Sequence, residues 1–293
     1  MKYLLTSMQI NHYTERYKKS LEWTVKIIVT GLCIYFISTR VDLSDISLKE
    51  AFDKPDGIII YMIVLMLMPL NWVLEAEKWR VSIPHETSSF QEAWRRVLAG
   101  LALNWVIPFT LGDVGGRLLN VQNAKKSAGA LLINRTILLL ITLLYGGISV
   151  LYYFDWYNHW MLAIPFLVVG VGLLVLSSRG NGSMWIQVLA LSLLRYVIFT
   201  FQFYLVLSLF LPELAWYLIL LGIGWIFLFR SVIPSFFGNF GVREASAIVF
   251  FQAYVPDVSI VLIPCLIIWM INTVIPSILG TVYVFKLKLN IAQ

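Results

Sequence analysis

Charge is scarce in this chain. Only 13% of its 293 residues are Asp, Glu, Lys or Arg, whereas 59% are hydrophobic and the mean hydropathy is +0.81. Soluble domains carry about a quarter charged residues, so this composition excludes a soluble globular protein. Several apolar runs reach the roughly 20 residues that a helix needs to cross a bilayer. The sequence therefore predicts an all-α polytopic membrane protein.

The chain also has little with which to build a catalytic or metal centre. Its three histidines, His12, His85 and His159, are scattered without the spacing of metal ligands, and its two cysteines fall in predicted spans. The sequence has no G-x-x-x-x-G-K loop for a nucleotide. We expect no cofactor, no metal and no enzymatic activity. One alternative uses Asp42 and Asp45 as the acid and base of a transferase acting on a lipid-linked sugar.

Six apolar segments are long enough to be full crossings, and two further segments each end in a Val-Ile-Pro sequence. The full crossings are predicted at about 23–38, 57–74, 128–154, 160–176, 184–211 and 259–285. The two further segments are 94–109 and 214–233. We predict that they are the incoming arms of two re-entrant helical hairpins, at about 94–127 and 214–256, within a single membrane domain covering 1–293.

The two hairpins share a motif. Residues 106–117 read VIPFTLGDVGGR and residues 232–243 read VIPSFFGNFGVR, so that six of twelve positions agree. Proline removes a backbone donor, glycine admits close approach, and an arginine is expensive inside a bilayer. Duplicated helix breaks of this kind form the substrate site of many transporters. The residues predicted to shape the two turns are Pro108, Gly112, Gly115, Pro234, Gly238 and Gly241.

The distribution of lysine and arginine predicts the orientation. Short segments on the predicted cytoplasmic side carry most of these residues, whereas the outer segments hold only Arg40, Lys49 and Lys54. Both termini are therefore predicted to lie in the cytoplasm, in a multi-pass protein of the cytoplasmic membrane. The first hairpin then enters from the cytoplasm and the second from outside, as an inverted repeat. The net charge of +6 is attributed to orientation and anionic lipid, with no nucleic acid as partner.

Five arginines remain within the predicted membrane domain. At about 2.5 to 3.5 kcal/mol each on the insertion scale, they must be paired, hydrated or bound to a ligand. Only two acids are assigned to the same depth, so positive charge is in surplus and a phosphate-bearing anion is the expected partner. The predicted binding residues are Arg117, Arg135, Arg195, Arg230, Arg243, Asp113, Glu244 and Asn239.

Two of these arginines have simpler explanations. Arg135 lies about two turns from the inner end of its span, so its side chain can extend to the interface. Arg230 can hydrogen-bond the carbonyl groups at the end of its own helix. Arg117 and Arg243 carry the prediction because they occupy the same place in the duplicated motif.

The motifs resemble those of a known family. Residues 234–244, PSFFGNFGVRE, resemble the P-S-x-x-G-G-x-G-x-R-E signature of the lysylphosphatidylglycerol synthase transmembrane family. Residues 108–117 resemble its P-x-x-x-G-[ED]-x-x-R element, with one extra residue between the acid and the arginine. Asn134-Arg135 stands where many members have Glu-Arg.

This resemblance implies a flippase, like the N-terminal half of multiple peptide resistance factors. The substrate would be a membrane lipid with an anionic or modified head group, such as an anionic phospholipid or a polyprenyl-phosphate-linked glycan. The bifunctional relatives add a cytosolic aminoacyl-transferase domain, whereas this chain ends soon after its last predicted span. We therefore expect transport without aminoacyl transfer. The alternative is a membrane scaffold that partners a lipid-modifying enzyme.

Overall fold

The regular elements of the protein are helices. The computed structural model describes residues 24, 27–40, 54, 56–86, 89–106, 111–118, 121–156, 161, 164–167, 170, 182–233 and 239–291, and these ranges contain no strand. They also contain a 3-10 turn (Val258–Val261) and a π-helix (Met270–Val274). The helices are α1 (Ile27–Arg40), α2 (Gly57–Ser82), α3 (Phe90–Val106), α4 (Leu111–Leu118), α5 (Ala124–Tyr153), α6 (Gly182–Phe210), α7 (Trp216–Val232), α8 (Val242–Phe251), α9 (Leu262–Trp269) and α10 (Ile275–Ile291).

Among the described residues, four helical segments are long and apolar enough to cross a membrane. α1 and α7 are apolar but shorter. The predicted class, a helical membrane protein with several spans, is confirmed at this level. The crossing predicted at 160–176 lies largely outside the described residues. The four long segments are Gly57–Ser82, Ala124–Tyr153, Gly182–Phe210 and Val258–Val284.

The outer faces of these helices are apolar. Ile58, Met62 and Met66 on α2 are exposed, as are Ile186 and Val197 on α6. A contiguous apolar surface of this kind promotes association in water. Against lipid, the same surface is the expected outer face of a helix whose backbone groups are all bonded internally.

The long helices pack in pairs. α2 lies along α6, where Gln202 Nε2 donates to the carbonyl oxygen of Val64 at 2.8 Å. α5 lies along α7, where the Tyr145 hydroxyl donates to the carbonyl oxygen of Leu220 at 2.6 Å. α3 packs against both α4 and α10. The largest fully buried side chains include Trp79, Phe203, Phe250 and Phe251.

Glycines let α3 and α4 approach closely. A Cβ on Gly116 would lie 2.2 Å from the Cα of Gly100, and one on Gly112 would lie 2.3 Å from the carbonyl carbon of Leu103. Membrane helices associate through such small-residue contacts. Gly112 thus lies at a close backbone approach, whereas a Cβ on Gly115 would meet nothing within 4 Å. The adjacent Gly116 makes the second close contact.

The two copies of the motif fold differently. In the first copy, α4 begins at Leu111 and includes Arg117. In the second copy, Asn239 and Gly241 have φ values of 68° and 87°, so the helix begins only at Val242. Both copies nevertheless join two helices that pack together, α3 with α4 and α7 with α8. Three of the predicted turn residues, Pro108, Pro234 and Gly238, lie outside the described residues.

Gly116→Ala is expected to destabilise the protein by about 1–3 kcal/mol, because the new Cβ meets the backbone of Gly100. Gly115→Ala is the matched control, since it adds the same methyl group one residue away in open space. Alanine is also the better helix former, so the control should be neutral or stabilising. The unfolding temperatures of both variants in detergent measure the difference. Equal losses would contradict the close packing of α3 and α4.

Glu86 connects the end of α2 to the start of α5. Its carboxylate accepts hydrogen bonds from the backbone N–H groups of Gln122 and Asn123 at 2.9 and 2.8 Å. These bonds lower the pKa of Glu86 below its ordinary value. The Asn123 side chain in turn caps α5 by accepting from the Lys126 N–H at 3.1 Å. The stabilisation that the ionised Glu86 carboxylate provides is complete above the ordinary glutamate pKa of about 4.3. It is lost as the pH falls through the lower pKa that Glu86 has in the folded protein.

Acidification should narrow the stability difference between the parent and Glu86→Gln. At neutral pH the parent is expected to unfold at the higher temperature, because the glutamine amide offers one acceptor oxygen where the carboxylate offers two. Below the folded pKa of Glu86, the two proteins should unfold at nearly the same temperature. A difference that stayed constant with pH would show that the carboxylate charge does not hold this junction.

Candidate functional site

Six charged side chains meet inside the helical bundle, and we call them the charged cluster. Three members, Glu75, Lys78 and Arg117, are only 4%, 2% and 5% exposed. Ionisable groups buried within membrane-spanning helices are expensive and therefore indicate a functional site. The cluster comprises Glu75 and Lys78 of α2, Asp113 and Arg117 of α4, Arg135 of α5 and Arg195 of α6.

Glu75 is the centre of the cluster. Its Oε1 lies 2.8 Å from Arg117 Nη2. Its Oε2 lies 2.7 Å from Lys78 Nζ and 2.9 Å from Arg195 Nη1. One carboxylate thus connects α2 to α4 and α6. Three cations around it offset the large desolvation penalty of a buried carboxylate.

Asp113 connects the first motif to α5. Its Oδ1 accepts from Arg117 Nε at 2.8 Å, and its Oδ2 accepts from Arg135 Nη2 at 2.9 Å. Arg117 therefore bridges two carboxylates, using Nε for Asp113 and Nη2 for Glu75. Its Nη1 has no hydrogen-bond partner within the part of the chain that the structure describes. The planar fork of arginine makes this contact with two separate nitrogens, whereas lysine has a single nitrogen that both carboxylates would have to approach.

Two tryptophans of α2 face arginines of the cluster. Arg195 Cζ lies 5.2 Å from the ring centroid of Trp72, and Arg117 Cζ lies 5.7 Å from that of Trp79. Both distances are within the range of cation–π attraction. The tryptophan rings therefore stabilise the guanidinium groups of Arg117 and Arg195, each of which has a buried nitrogen without a hydrogen-bond partner among the described residues.

Two adjacent cavities open onto these charges. All six members of the charged cluster line the larger cavity, of about 270 Å³, together with the amides of Asn104 and Asn134. The smaller cavity, of about 70 Å³, is lined by Arg195, Tyr196 and Arg230 among other residues. Arg195 lines both cavities, so a ligand that spans them contacts cations along its whole length.

Arg230 brings a further cation to the smaller cavity. Its Cζ lies 5.2 Å and 5.3 Å from the ring centroids of Phe199 and Phe227. In the described ranges no acidic side chain pairs with it, and its charged neighbours are Arg195 and Arg243. Two guanidinium groups facing one small cavity form an arrangement suited to gripping a phosphate group.

Arg243 is a charged neighbour of Arg230, but its ion pair among the described residues is with Glu244 and not with a member of the charged cluster. Its Nη2 contacts the neighbouring Glu244, and Glu244 Oε2 accepts from the Gly241 N–H at 2.8 Å. The Glu244 side chain thereby caps the first turn of α8. Arg243 lines neither of the two charged cavities. The pair therefore stabilises the turn that contains Asn239, rather than lying beside Arg117.

The structure thus divides the predicted site residues into two groups. Four of them, Arg117, Arg135, Arg195 and Asp113, belong to the charged cluster, and Arg230 lies beside it. Arg243, Glu244 and Asn239 belong to the second turn.

Sequence reasoning misses Glu75 and Lys78. It ends the second crossing at Leu74 because the apolar run stops there, and it assigns Lys78 to a cytoplasmic loop. α2 instead continues to Ser82. The available signal is the helical spacing of Trp72, Glu75, Lys78 and Trp79, which places these residues along one face of a continuous helix.

Comparison of the chain with protein-family models, with curated proteins and with solved structures finds no match. Within the described residues, no group of three or more His, Cys, Asp and Glu side chains is placed to hold a metal ion. The functional assignment therefore rests on the geometry of the charged cluster and on the two sequence motifs.

Proposed function

We propose that this protein is a flippase-like transporter that moves a lipid with an anionic, phosphate-bearing head group across the cytoplasmic membrane. The charged cluster carries this proposal. With Arg230 included, five cations face two carboxylates around the two cavities. A phosphate group supplies negative charge and also a partner for Arg117 Nη1 and Arg195 Nε, which have none among the described residues.

The head group is proposed to exchange partners with the carboxylates. In the structure, Glu75 and Asp113 hold the guanidinium groups of Arg117, Arg135 and Arg195. A phosphate accepts the same charge-assisted hydrogen bonds through its nonbridging oxygens. When the phosphate pairs with Arg195, Glu75 still pairs with Lys78 and Arg117. This exchange avoids leaving a charge uncompensated in the membrane interior, so that binding and release are both feasible.

The pairs α3–α4 and α7–α8, which contain the two motifs, are proposed to be re-entrant hairpins that enter the membrane from opposite sides as an inverted repeat. α7 is shorter than a full crossing, which favours this arrangement. The Trp269 ring also lies close to both motifs, because its centroid lies 5.7 Å from that of Trp105, the residue before the first motif, and 5.3 Å from that of Phe240 in the second. The π-helix begins directly after Trp269, and such irregularities are frequent at functional sites. Rocking of one hairpin against the other gives alternating access.

Membership of the lysylphosphatidylglycerol synthase transmembrane family is part of the same proposal. It rests on the resemblance of residues 108–117 and 234–244 to the family's motifs. The arginine and the acid of the first motif, Arg117 and Asp113, both lie in the charged cluster. That placement supports a role in substrate binding for the first motif.

Single cysteines test the proposed orientation. In a chain with Cys33 and Cys265 replaced by alanine, Lys125→Cys and Ala253→Cys each place a thiol at an exposed position. Both termini and the start of α5 are proposed to be cytoplasmic, whereas Ala253 lies near the outer turn at Asp257. An impermeant maleimide should therefore label Lys125→Cys only from the cytoplasmic side and Ala253→Cys only from outside. Labelling of both from one side would rule out the inverted arrangement.

A vesicle assay tests transport itself. The protein is reconstituted with fluorescent phosphatidylglycerol or with a neutral glycolipid that carries the same chains, and an impermeant quencher reports the outer leaflet. We expect the protein to accelerate exchange of phosphatidylglycerol and not of the glycolipid. Arg195→Gln should remove most of the acceleration, whereas Arg80→Gln, at an exposed ion pair of α2, should not. If no phosphate-bearing lipid exchanges faster than in protein-free vesicles, the scaffold alternative replaces the transporter.

A further inference from the structure

We infer that the substrate enters sideways from the bilayer and places one hydrocarbon chain in an apolar groove between α6 and α7. This inference rests on the proposed phosphate site and adds where a hydrocarbon chain of its lipid lies and from which side the lipid enters. The groove has a volume of about 540 Å³. Its walls include Tyr145, Tyr196, Thr200, Phe201, Trp216 and Leu220.

The inner end of the groove adjoins the phosphate site. Tyr196 lines both the groove and the small cavity that holds Arg195 and Arg230. Phe227 packs edge-on against Tyr196 at 5.2 Å between centroids and also contacts the Arg230 guanidinium group. Guanidinium groups therefore lie on one side of Tyr196 and an apolar channel lies on the other. A lipid has the same order of parts, with its phosphate next to its chains.

Two of the three tyrosines that line the groove, Tyr145 and Tyr196, have their hydroxyl groups bound to protein acceptors. Tyr145 OH donates to the carbonyl oxygen of Leu220 at 2.6 Å, and Tyr196 OH donates to Thr142 Oγ1 at 3.4 Å. Both hydroxyl groups are thus occupied by protein acceptors. The aromatic rings remain to contact a ligand, and hydrocarbon is the chemistry that such a surface binds.

The outer end of the groove faces the surroundings of the bundle. Val197 and Trp216 are 63% and 64% exposed, and Phe201 is exposed as well. α6 is one of the segments that can span a membrane, so this side of the groove faces lipid chains. A chain that slides in at this side reaches the arginines without passing through water. A soluble anion has no hydrocarbon chain to place along this path, whereas a lipid must keep its chain out of water.

A photoreactive lipid tests the position of the chain. The probe is phosphatidic acid with a diazirine near the end of one acyl chain, incorporated with the protein into nanodiscs. After irradiation, peptide mapping should place the label on residues 197–204 and 216–220. In parallel, the water-soluble dihexanoyl phosphatidic acid should protect Arg195 and Arg230 from phenylglyoxal, which reports phosphate binding without a long chain.

Thr200→Trp fills the groove and should reduce the labelling of these residues about tenfold, equivalent to about 1.4 kcal/mol. This is the effect expected when about two methylenes lose their buried contacts. Thr200→Val keeps the size of the side chain, and Ile186→Trp adds the same ring at an exposed position of the same helix. Both controls should label as the parent does. Leu220→Trp fills the groove from α7 and serves as a second test in case Thr200→Trp does not fold.

The outcomes separate this inference from the proposed function. Protection of the arginines with labelling spread evenly over the outer faces of the helices would overturn the groove and leave the phosphate site standing. Unchanged labelling in both tryptophan variants of the groove would overturn it equally. Equal protection by inorganic phosphate and by dihexanoyl phosphatidic acid, without any groove labelling, would point to a soluble anion. Absence of protection by any phosphate compound in the parent would instead contradict the phosphate site itself.

Discussion

Glu75→Gln is expected to destabilise the protein by about 3–5 kcal/mol, because it leaves buried cations around a neutral group. Lys78 and Arg117 lose their ion pairs with Glu75, and Arg195 loses the only carboxylate that the structure places beside it. The matched control is Glu77→Gln, two residues further along α2. Glu77 pairs with Arg80 through side chains that are 30% and 44% exposed, and such exposed pairs contribute about 0–1 kcal/mol. Thermal and chemical unfolding in detergent measure both changes.

An anionic lipid should restore part of this loss. Phosphatidic acid is expected to raise the unfolding temperature of Glu75→Gln more than that of the parent, because the released cations pair with the phosphate. In Glu77→Gln the lipid effect should equal that in the parent. An equal lipid effect in all three proteins would contradict the inference that Glu75 and the head group share the same cations.

Arg117→Lys is expected to reduce lipid exchange at least about tenfold, or about 1.4 kcal/mol, while insertion and expression persist. Lysine keeps the charge but has one nitrogen in place of the two that contact Asp113 and Glu75, and it loses the planar contact with Trp79. The initial rate of exchange per protein in reconstituted vesicles measures the effect.

Arg243→Lys provides the comparison within the duplicated motif. From sequence alone, both arginines are equivalent and both variants should impair the phosphate site. In the structure, Arg243 pairs with Glu244 and lines neither charged cavity. We therefore expect Arg243→Lys to lower the unfolding temperature and to leave the rate of exchange per folded protein close to that of the parent. If Arg117→Lys and Arg243→Lys reduced the rate of lipid exchange equally, Arg243 would have to be counted among the residues that bind the phosphate.

Hydropathy predicts the helical class and the long spans well, because a run of about 20 apolar residues reports contact with lipid directly. It does not predict the end of α2. The helix continues through Glu75 and Lys78, which pair with each other, and Glu75 also pairs with Arg117 of α4 and Arg195 of α6. The two arginines are distant in sequence, so the α2 sequence shows that Glu75 and Lys78 share a helix face but not the arginines that stabilise Glu75 in the interior.

The cost of an arginine in the membrane interior singles out residues that the structure brings together, since Arg117, Arg135 and Arg195 all belong to the charged cluster. The duplicated motif is a poorer guide. Gly116 of the first copy admits the backbone of Gly100, and its counterpart in the second copy is a valine. The positive φ values at Asn239 and Gly241 then delay the start of α8. Six shared letters do not determine packing, which depends on the residues between them.

A native mass spectrum of gently extracted protein tests the central claim most directly, namely that a phosphate-bearing lipid binds beside Arg195 and Arg230. The parent and Arg80→Gln are expected to retain such a lipid, identified by its mass and by its phosphate fragment. The double variant Arg195→Gln, Arg230→Gln is expected to lose it while remaining folded. Equal occupancy in all three proteins, or retention of neutral lipids only, would contradict the account.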